Sequence, residues 1–266
     1  MTRTALLLLI VLSASACSTG VLAPGSRAKA DEASDSRIPT APRDTRTRAK
    51  LHVELGSLYL QEGQLAVALE ELLIAISIDP DYAKAYNARG LAHYHIKEME
   101  LAERDFQRAL SLEPNDPEVH NNYGWFLCQV GREKEGIAFF QRAIRNPLYG
   151  TPDMAYLNAG ACYTRLGNLA QAEDFVQHSL RIKPDNPAGL LQLAEISYRR
   201  GDFALARQQM QSLLSVAEPS ADALWLIVRI ERNLGNRQAE ARYASQLKRR
   251  FPLSSETQEL LKGNFE

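Results

Sequence analysis

Cysteine and histidine are scarce in this chain, which limits the chemistry available to it. Among 266 residues there are three cysteines and five histidines. His93 and His95 lie two residues apart in a helical segment, so they point to different sides and cannot chelate one metal ion. The sequence also lacks a phosphate-binding glycine loop, a nucleophile elbow and an HExxH motif. We therefore expect no enzymatic activity, no metal site and no cofactor.

An excess of charge of either sign is also lacking. The 31 basic and 32 acidic side chains give a formal net charge of −1 at pH 7, whereas nucleic-acid-binding domains present a concentrated basic face. The one local basic cluster, Arg242 with residues 248–250, is interpreted as a solvated helix face. After residue 17 no stretch is apolar for long enough to cross a membrane. We expect neither a nucleic acid nor a small-molecule substrate as the partner.

A helix-turn-helix pattern recurs six times between residues 49 and 254, with a period of 34 residues in all but one copy. Its period and its small and large residues are typical of tetratricopeptide (TPR) repeats. The pattern predicts an all-α, right-handed TPR superhelix, in which neighbouring repeats share a core and leave a long concave groove. The predicted units are repeats at 49–82, 83–116, 117–152, 153–186, 187–220 and 221–254, with a capping helix in 255–266.

Particular residues fix the register of the repeats. Position 15 of each repeat is glycine except for Lys97, and glycine ends a helix where a left-handed backbone is needed. Asp116 and Asn186, each followed by proline, are predicted helix N-caps. Gly124 and Gly160 are expected where the two helices of a repeat cross closely.

Three places depart from the regular pattern. The third repeat has 36 residues, and two prolines and a glycine within 145–152 predict a protruding loop. The sixth repeat has Glu231 and Glu240 at positions that are usually apolar or small. After this repeat, Ser255 and Gln258 are predicted to form a capping box for a last helix that contains Leu260 and Leu261.

The first residues have the features of an export signal. Arg3 precedes an apolar run at 5–12 that is too short to span a bilayer, and residues 14–17 read Ala-Ser-Ala-Cys, similar to a bacterial lipobox. We expect a signal peptide at 1–16 and a lipidated Cys17; the alternative is an ordinary signal peptide with an incidental cysteine. Ser18 indicates sorting to the outer membrane.

The segment that follows is poor in large apolar side chains and rich in Ser, Pro, Arg, Asp and Ala. Such a composition cannot bury enough surface to offset the entropy lost on ordering. We therefore expect residues 17–48 to be a lipidated N-terminus and a disordered tether. The two remaining cysteines, Cys128 and Cys162, fall in adjacent repeats. They are interpreted as two small buried side chains, and a disulfide between them is the alternative in an oxidising compartment.

The concave surface of a TPR array is formed by the first helix of each repeat. The side chains predicted there are apolar or aromatic in the middle and bordered by amides, a composition typical of protein-binding surfaces. They are Tyr94, Asn121, Asn122, Trp125, Met154, Leu157, Asn158, Gln192 and Tyr198, and the sixth repeat adds Trp225, Arg229 and Arg232. The carboxamides could bond the backbone of an extended peptide or bond locally; the sequence leaves both alternatives open.

Three segments are more specific than ordinary TPR residues. Residues 121–128 read NNYGWFLC, residues 146–149 read NPLY, and residues 155–160 read AYLNAG. They resemble the type IV pilus biogenesis/stability lipoproteins, the PilW/PilF family of pilotin-like TPR proteins, and the resemblance covers the whole chain. It implies an outer-membrane, periplasm-facing protein anchored by lipid. Such a protein would help a PilQ-like secretin to assemble, and so would support pilus formation and twitching motility.

Two other functions remain possible from the sequence. An envelope TPR adaptor lipoprotein could dock peptidoglycan enzymes or proteases, because the fold serves both purposes. The chain could also be part of an enzyme in which TPR repeats are fused to a catalytic domain, although no catalytic motif is found in it.

Overall fold

A computed structural model describes residues 44–265, and within this range the secondary structure consists of thirteen helices without a strand. The helices are α1 (Thr45–Gln61), α2 (Leu65–Ile78), α3 (Ala83–His95), α4 (Met99–Leu112), α5 (Pro117–Gln129), α6 (Glu133–Arg145), α7 (Pro152–Arg165), α8 (Leu169–Ile182), α9 (Pro187–Arg199), α10 (Phe203–Val216), α11 (Ala221–Asn233), α12 (Arg237–Arg250) and α13 (Ser255–Lys262). They form the six predicted repeats and the predicted final helix.

The helices pack as a stack of antiparallel pairs. Each odd-numbered helix from α1 to α11 packs against the even-numbered helix that follows, and each pair contacts the next. The odd-numbered helices also contact one another in sequence from α1 to α13, whereas no two even-numbered helices between residues 44 and 265 are in comparable contact. The odd-numbered helices therefore line the inner, concave side of the superhelix. The even-numbered helices form its outer side.

The turns between paired helices confirm the register predicted from position 15. Gly63 has φ 75°, and the four glycines at the same position in repeats 3 to 6 have φ between 71° and 83°. Lys97 adopts the same left-handed backbone, with φ 69°, and is the one non-glycine residue of the described chain with positive φ. The predicted N-caps are also confirmed, since Asp116 accepts hydrogen bonds from the backbone of Glu118 and Val119, and Asn186 caps α9 in the same way.

The crossing points within repeats are as close as the small residues predict. A Cβ atom added to Gly124 would lie 2.9 Å from the carbonyl oxygen of Gly136 and 3.1 Å from the ring of Phe140. A Cβ added to Gly160 would lie 2.6 Å from a methyl group of Val176. Large apolar residues of adjacent repeats fill the space around these contacts, with Phe106, Phe126 and Phe140 fully buried. Each repeat thus completes its core with side chains of its neighbours.

The structure accommodates the irregular features of the third and sixth repeats. The loop between α6 and α7 protrudes, with 89% of Leu148 exposed. In the sixth repeat, buried Glu231 accepts a hydrogen bond from Asn236 at 2.9 Å, and Glu240 pairs with Arg232 at 2.9 Å. The two carboxylates are compatible with the fold because each has a polar partner.

One predicted boundary and one predicted N-cap were wrong. The helical domain begins with α1 at Thr45, not at residue 49, because the Asp44 carboxylate accepts hydrogen bonds from the backbone of Arg46 and Thr47 and so caps a longer helix. At the other end, the N-cap of α13 is Ser254 instead of Ser255; its hydroxyl accepts a hydrogen bond from the backbone of Thr257. Leu260 packs on the sixth repeat as expected, whereas Leu261 is exposed.

The predicted signal peptide at 1–16, Cys17 and the tether as far as residue 43 lie outside the described residues. Among the residues that are described, no helix is long and apolar enough to cross a membrane.

Candidate protein-binding groove

All nine predicted site residues lie on odd-numbered helices, which form the concave side. Tyr94 is on α3; Asn121, Asn122 and Trp125 are on α5; Met154, Leu157 and Asn158 are on α7; and Gln192 and Tyr198 are on α9. They therefore belong to four consecutive repeats. The degree to which a partner could reach them differs from one residue to the next.

An aromatic cluster lies at the centre of the groove. Tyr94 of α3 and Trp125 of α5 pack edge to face, with ring centroids 4.6 Å apart, and exposed His95 lies 6.4 Å from the indole ring. The Lys97 ammonium lies 5.3 Å from the centre of the Tyr94 ring. Tyr94 and Trp125 are half-buried, and Trp125 also packs against the cores of repeats 3 and 4. The inner side of Trp125 is therefore part of the core, and its outer side contributes to the groove.

A ladder of carboxamides crosses the groove beside this aromatic cluster. The side-chain nitrogen of Asn158 donates to Asn121 at 3.0 Å, Asn121 donates to Asn122 at 3.2 Å, and Asn122 donates to Asn87 at 3.4 Å. The amides of three repeats thus bond to one another. This is the local hydrogen bonding that the sequence left open as an alternative to bonding a peptide backbone. Asn121 is buried, with 8% exposed, so it was wrong to place its amide on the accessible surface. Each amide group has a second donor hydrogen, and Asn122 and Asn158 are only half-buried. These two side chains therefore retain hydrogen-bonding capacity for a peptide backbone.

The two apolar residues of α7 differ sharply in exposure. Met154 is 40% exposed and lies in the groove between Asn121 and the loop that carries Tyr149. Leu157 is only 5% exposed, and it was wrong to place it on the accessible surface. Its side chain packs between repeats, near Gly189 at the start of α9. A groove variant should therefore alter Met154, since truncating Leu157 would disturb the packing of α7 on α9.

A disulfide bond joins two of the helices that line the groove. Cys128 of α5 and Cys162 of α7 are bonded, with their Cα atoms 5.9 Å apart, a separation usual for disulfides. The interpretation of two separate buried thiols was therefore wrong; both side chains are buried, but they are joined. Arg165, one helical turn beyond Cys162, donates to the carbonyl oxygen of Cys128 at 3.2 Å and to Gln129 at 2.7 Å. Repeats 3 and 4 are thus fixed to each other beneath Trp125.

The remaining predicted residues lie in the C-terminal half of the groove, where arginines are frequent. Half-buried Gln192 has a buried side-chain oxygen without a donor among residues 44–265. The Arg229 guanidinium lies 4.7 Å from the centre of the Tyr198 ring and bonds Glu195 at 3.3 Å. Arg199 also pairs with Glu195, at 2.8 Å. One carboxylate therefore faces two guanidinium groups, which leaves a local excess of positive charge around Glu195.

Comparison with known proteins agrees with this architecture. Family models of the TPR repeat match residues 56–96, and models of the tetratricopeptide repeat match residues 83–116, 106–138, 155–186 and 191–255. The chain is 30% identical over 208 residues to the type IV pilus assembly protein PilF of Pseudomonas aeruginosa, an alignment that covers 78% of this chain and 82% of that protein. The chain belongs to the PilF/PilW family of TPR proteins.

Two solved structures of this family have the same fold. The crystal structure of PilW, described as a widely conserved type IV pilus biogenesis factor, superimposes with a TM-score of 0.74 at 32% identity, covering 80% of this chain and 98% of PilW. The PilF structure from Pseudomonas aeruginosa superimposes with a TM-score of 0.70 at 29% identity, covering 82% and 99% respectively. The resemblance inferred from the NNYGWFLC segment is confirmed, as is the all-α TPR superhelix.

Two residues outside the nine predicted site residues also contact the groove side chains. Asn87 ends the amide ladder, and it occupies the same repeat position as Asn121 one repeat earlier, so the repeat register places it in the groove. Phe265, beyond α13, packs on Trp225 of α11. It belongs to no repeat, and the sequence offers no signal for that contact.

Proposed function

We propose that this type IV pilus biogenesis protein is a lipid-anchored, periplasm-facing protein of the outer membrane whose concave groove binds the secretin of the pilus machinery and helps it to assemble. The observation that supports binding most strongly is the apolar and aromatic character of the groove, to which 40% exposed Met154 and the half-buried Trp125 and Tyr94 contribute. This surface lies on the odd-numbered helices, and membership of the PilF/PilW family connects it with pilus biogenesis.

The composition of the groove suits an extended polypeptide. Apolar side chains of the partner can contact Met154 and the outer face of Trp125. Hot spots in protein interfaces commonly combine an aromatic residue with a pocket from which water is excluded. Half-buried Asn122 and Asn158 lie beside them and can bond a peptide backbone. Because the disulfide holds α5 against α7, these groups are already in place before a partner binds.

The anchor would place this groove at the membrane where a secretin must assemble. Lipid on Cys17 would confine the groove to a layer beside the outer membrane. Tethering of this kind gives effective concentrations that reach about the millimolar range for short flexible linkers. The disulfide supports an exported location, because such bonds persist in oxidising compartments.

A charge placed in the groove tests the binding proposal. Met154→Glu introduces a carboxylate at a site that is 40% exposed, and Leu205→Glu on the outer helix α10 is a matched control at a site that is 42% exposed. We expect Met154→Glu to weaken secretin binding by about thirty-fold or more, the effect of losing a hot spot of roughly 2 kcal/mol. Cells with this variant should contain monomeric secretin and lack surface pili, whereas the control should be normal.

Two outcomes would contradict the proposal. Normal heat-resistant secretin multimers with Met154→Glu, at normal protein level and melting temperature, would show that secretin does not use this groove. Recovery of murein hydrolases or proteases, and not secretin, in a pull-down from membranes would favour the envelope-adaptor function.

The anchor is tested separately by Cys17→Ala, which should leave a folded protein that is lost from the outer membrane. Wild-type levels of that variant in the outer membrane would refute anchoring through Cys17.

A further inference from the structure

The segment after α13 turns back towards the sixth repeat. Gly263 adopts a left-handed backbone with φ 72° and ends the helix, and its N–H donates to the carbonyl oxygens of Glu259 and Leu260. The backbone N–H of Asn264 donates to the carbonyl oxygen of Glu259 at 3.1 Å, and the Asn264 side chain donates to the Glu259 carboxylate at 2.6 Å. This arrangement is a helix C-cap of the kind that glycine permits. It directs the next residue, Phe265, onto α11.

Phe265 lies between two side chains of α11. Its ring centroid is 5.3 Å from the Trp225 ring, at an interplanar angle of 30°, and the Arg232 guanidinium carbon lies 3.8 Å from the centre of the Phe265 ring. Trp225 is 9% exposed with Phe265 in this position. The slot between Trp225 and Arg232 therefore holds an aromatic ring by stacking on one side and by a cation–π contact on the other. We call it the aromatic slot.

The aromatic slot continues the concave surface. Trp225 and Arg232 occupy repeat positions 5 and 12, the same positions as Asn121 and Cys128 in the third repeat. Arg229 links the slot to the rest of the groove, since its guanidinium lies 5.7 Å from the centre of the Trp225 ring and 4.7 Å from that of Tyr198. Aromatic and guanidinium groups thus form a continuous row from Tyr198 to Arg232. Phe265 is the one member of this row that does not come from an odd-numbered helix of a repeat.

We propose that the aromatic slot is a binding subsite for an aromatic side chain of a partner polypeptide, and that Phe265 occupies it in the free protein and must be displaced. This rests on the proposed function, in which the groove binds a protein. The partner segment would carry an aromatic residue, because the slot already holds a phenylalanine ring between Trp225 and Arg232. Arg229 and Arg232 are paired with Glu195 and Glu240, so the aromatic ring is the group that the slot selects.

Displacement is compatible with the contacts that hold the segment. Gly263 and Asn264 are exposed, and Phe265 is only half-buried. The segment is attached through one aromatic ring and the hydrogen bonds to Glu259, so it can leave the slot without unfolding α13. The apparent affinity of a ligand that needs the open slot is its affinity for the open form multiplied by the fraction of molecules in which the slot is open. Removing Phe265 should therefore strengthen binding of an aromatic peptide.

The test measures binding of a peptide with the sequence of residues 263–266, Gly-Asn-Phe-Glu, to the mature lipidated protein in detergent. The indole N–H resonance of Trp225 reports occupancy, and the peptide Gly-Asn-Ala-Glu is the control ligand. We expect the Phe265→Ala protein to bind the phenylalanine peptide roughly two- to tenfold more tightly than the wild type, the ratio that corresponds to one aromatic contact. Adding Arg232→Ala to Phe265→Ala should remove that gain.

Several results would overturn the proposal. Equal affinity of wild type and Phe265→Ala for the phenylalanine peptide would show that Phe265 does not compete. Equal affinity for the two peptides would show that the slot does not select an aromatic ring. If Phe265→Ala is unstable, Phe265→Leu keeps an apolar contact with Trp225 without a ring, and it should bind the peptide more tightly than the wild type does. No gain in that variant would make Phe265 a structural cap only. Secretin is absent from this assay, so its outcome is independent of the Met154 experiment.

Discussion

The contact between Gly124 and Gly136 offers a quantitative test of how closely the paired helices must approach. In Gly124→Val, the new Cβ would lie 2.9 Å from the Gly136 carbonyl oxygen and 3.1 Å from two ring carbons of Phe140, and the two methyl groups would extend further. A backbone oxygen cannot rotate away, so α6 must shift relative to α5. Overpacking of this kind typically costs about 1–3 kcal/mol. The gain in helix propensity from Gly to Val recovers only about 0.4 kcal/mol.

The expected result is a clear fall in melting temperature. For a domain of this size, each kcal/mol shifts the melting temperature by about 2–4 °C, which gives a decrease of roughly 2–12 °C. Gly150→Val is the matched control, because a Cβ at Gly150 meets no atom within 4 Å and its backbone is not left-handed. Thermal melts followed by circular dichroism at 222 nm compare both variants with the wild type. A melting temperature of Gly124→Val within 1 °C of the wild type, or equal to that of Gly150→Val, would refute the close approach.

Two further predictions concern the disulfide and a buried histidine. Replacing Cys128 and Cys162 by alanine should lower the free energy of unfolding by about 2–4 kcal/mol, because the bond closes a loop with a sequence separation of 34 residues. Denaturant titration of the oxidised wild type and of the variant measures this difference. Equal unfolding midpoints would contradict the prediction. Burial, together with the nearby Arg142 guanidinium, lowers the pKa of His120 from 6.5. As the pH falls through 6.5, the unfolded chain therefore binds a proton that folded His120 does not, so stability should fall until the lower folded-state pKa is reached. His120→Asn should flatten this dependence in melts between pH 7.5 and 5; an unchanged slope would show that another group causes it.

Most of the fold could be predicted from the sequence because TPR contacts are local and periodic. The left-handed turn at Lys97 follows from its register, and the protruding loop that carries Leu148 follows from the two extra residues, two prolines and a glycine of the third repeat. The cap at Asp116 consists of hydrogen bonds from residues only two and three positions ahead in the sequence. The start of α1 was missed because Asp44 lies before the first repeat, where no register applies.

The site was harder to predict because exposure depends on the neighbouring repeat. Met154 and Leu157 are both apolar residues of one helix, but α9 covers Leu157 and leaves Met154 accessible. The pairing of Cys128 with Cys162 depends on the distance between α5 and α7, which the spacing of the two residues in the sequence does not give. Phe265 reaches Trp225 through a turn outside the repeats, so periodicity could not indicate that contact.

The most direct test of the groove as the binding surface is photo-crosslinking in piliated cells. A photoreactive amino acid is placed at Met154, in the groove, or at Leu205, on the outer side, two sites of nearly equal exposure. Because only Met154 lies on an odd-numbered helix, irradiation should join the protein to secretin from position 154 and not from position 205. Adducts with secretin from position 205 alone would contradict a concave binding site.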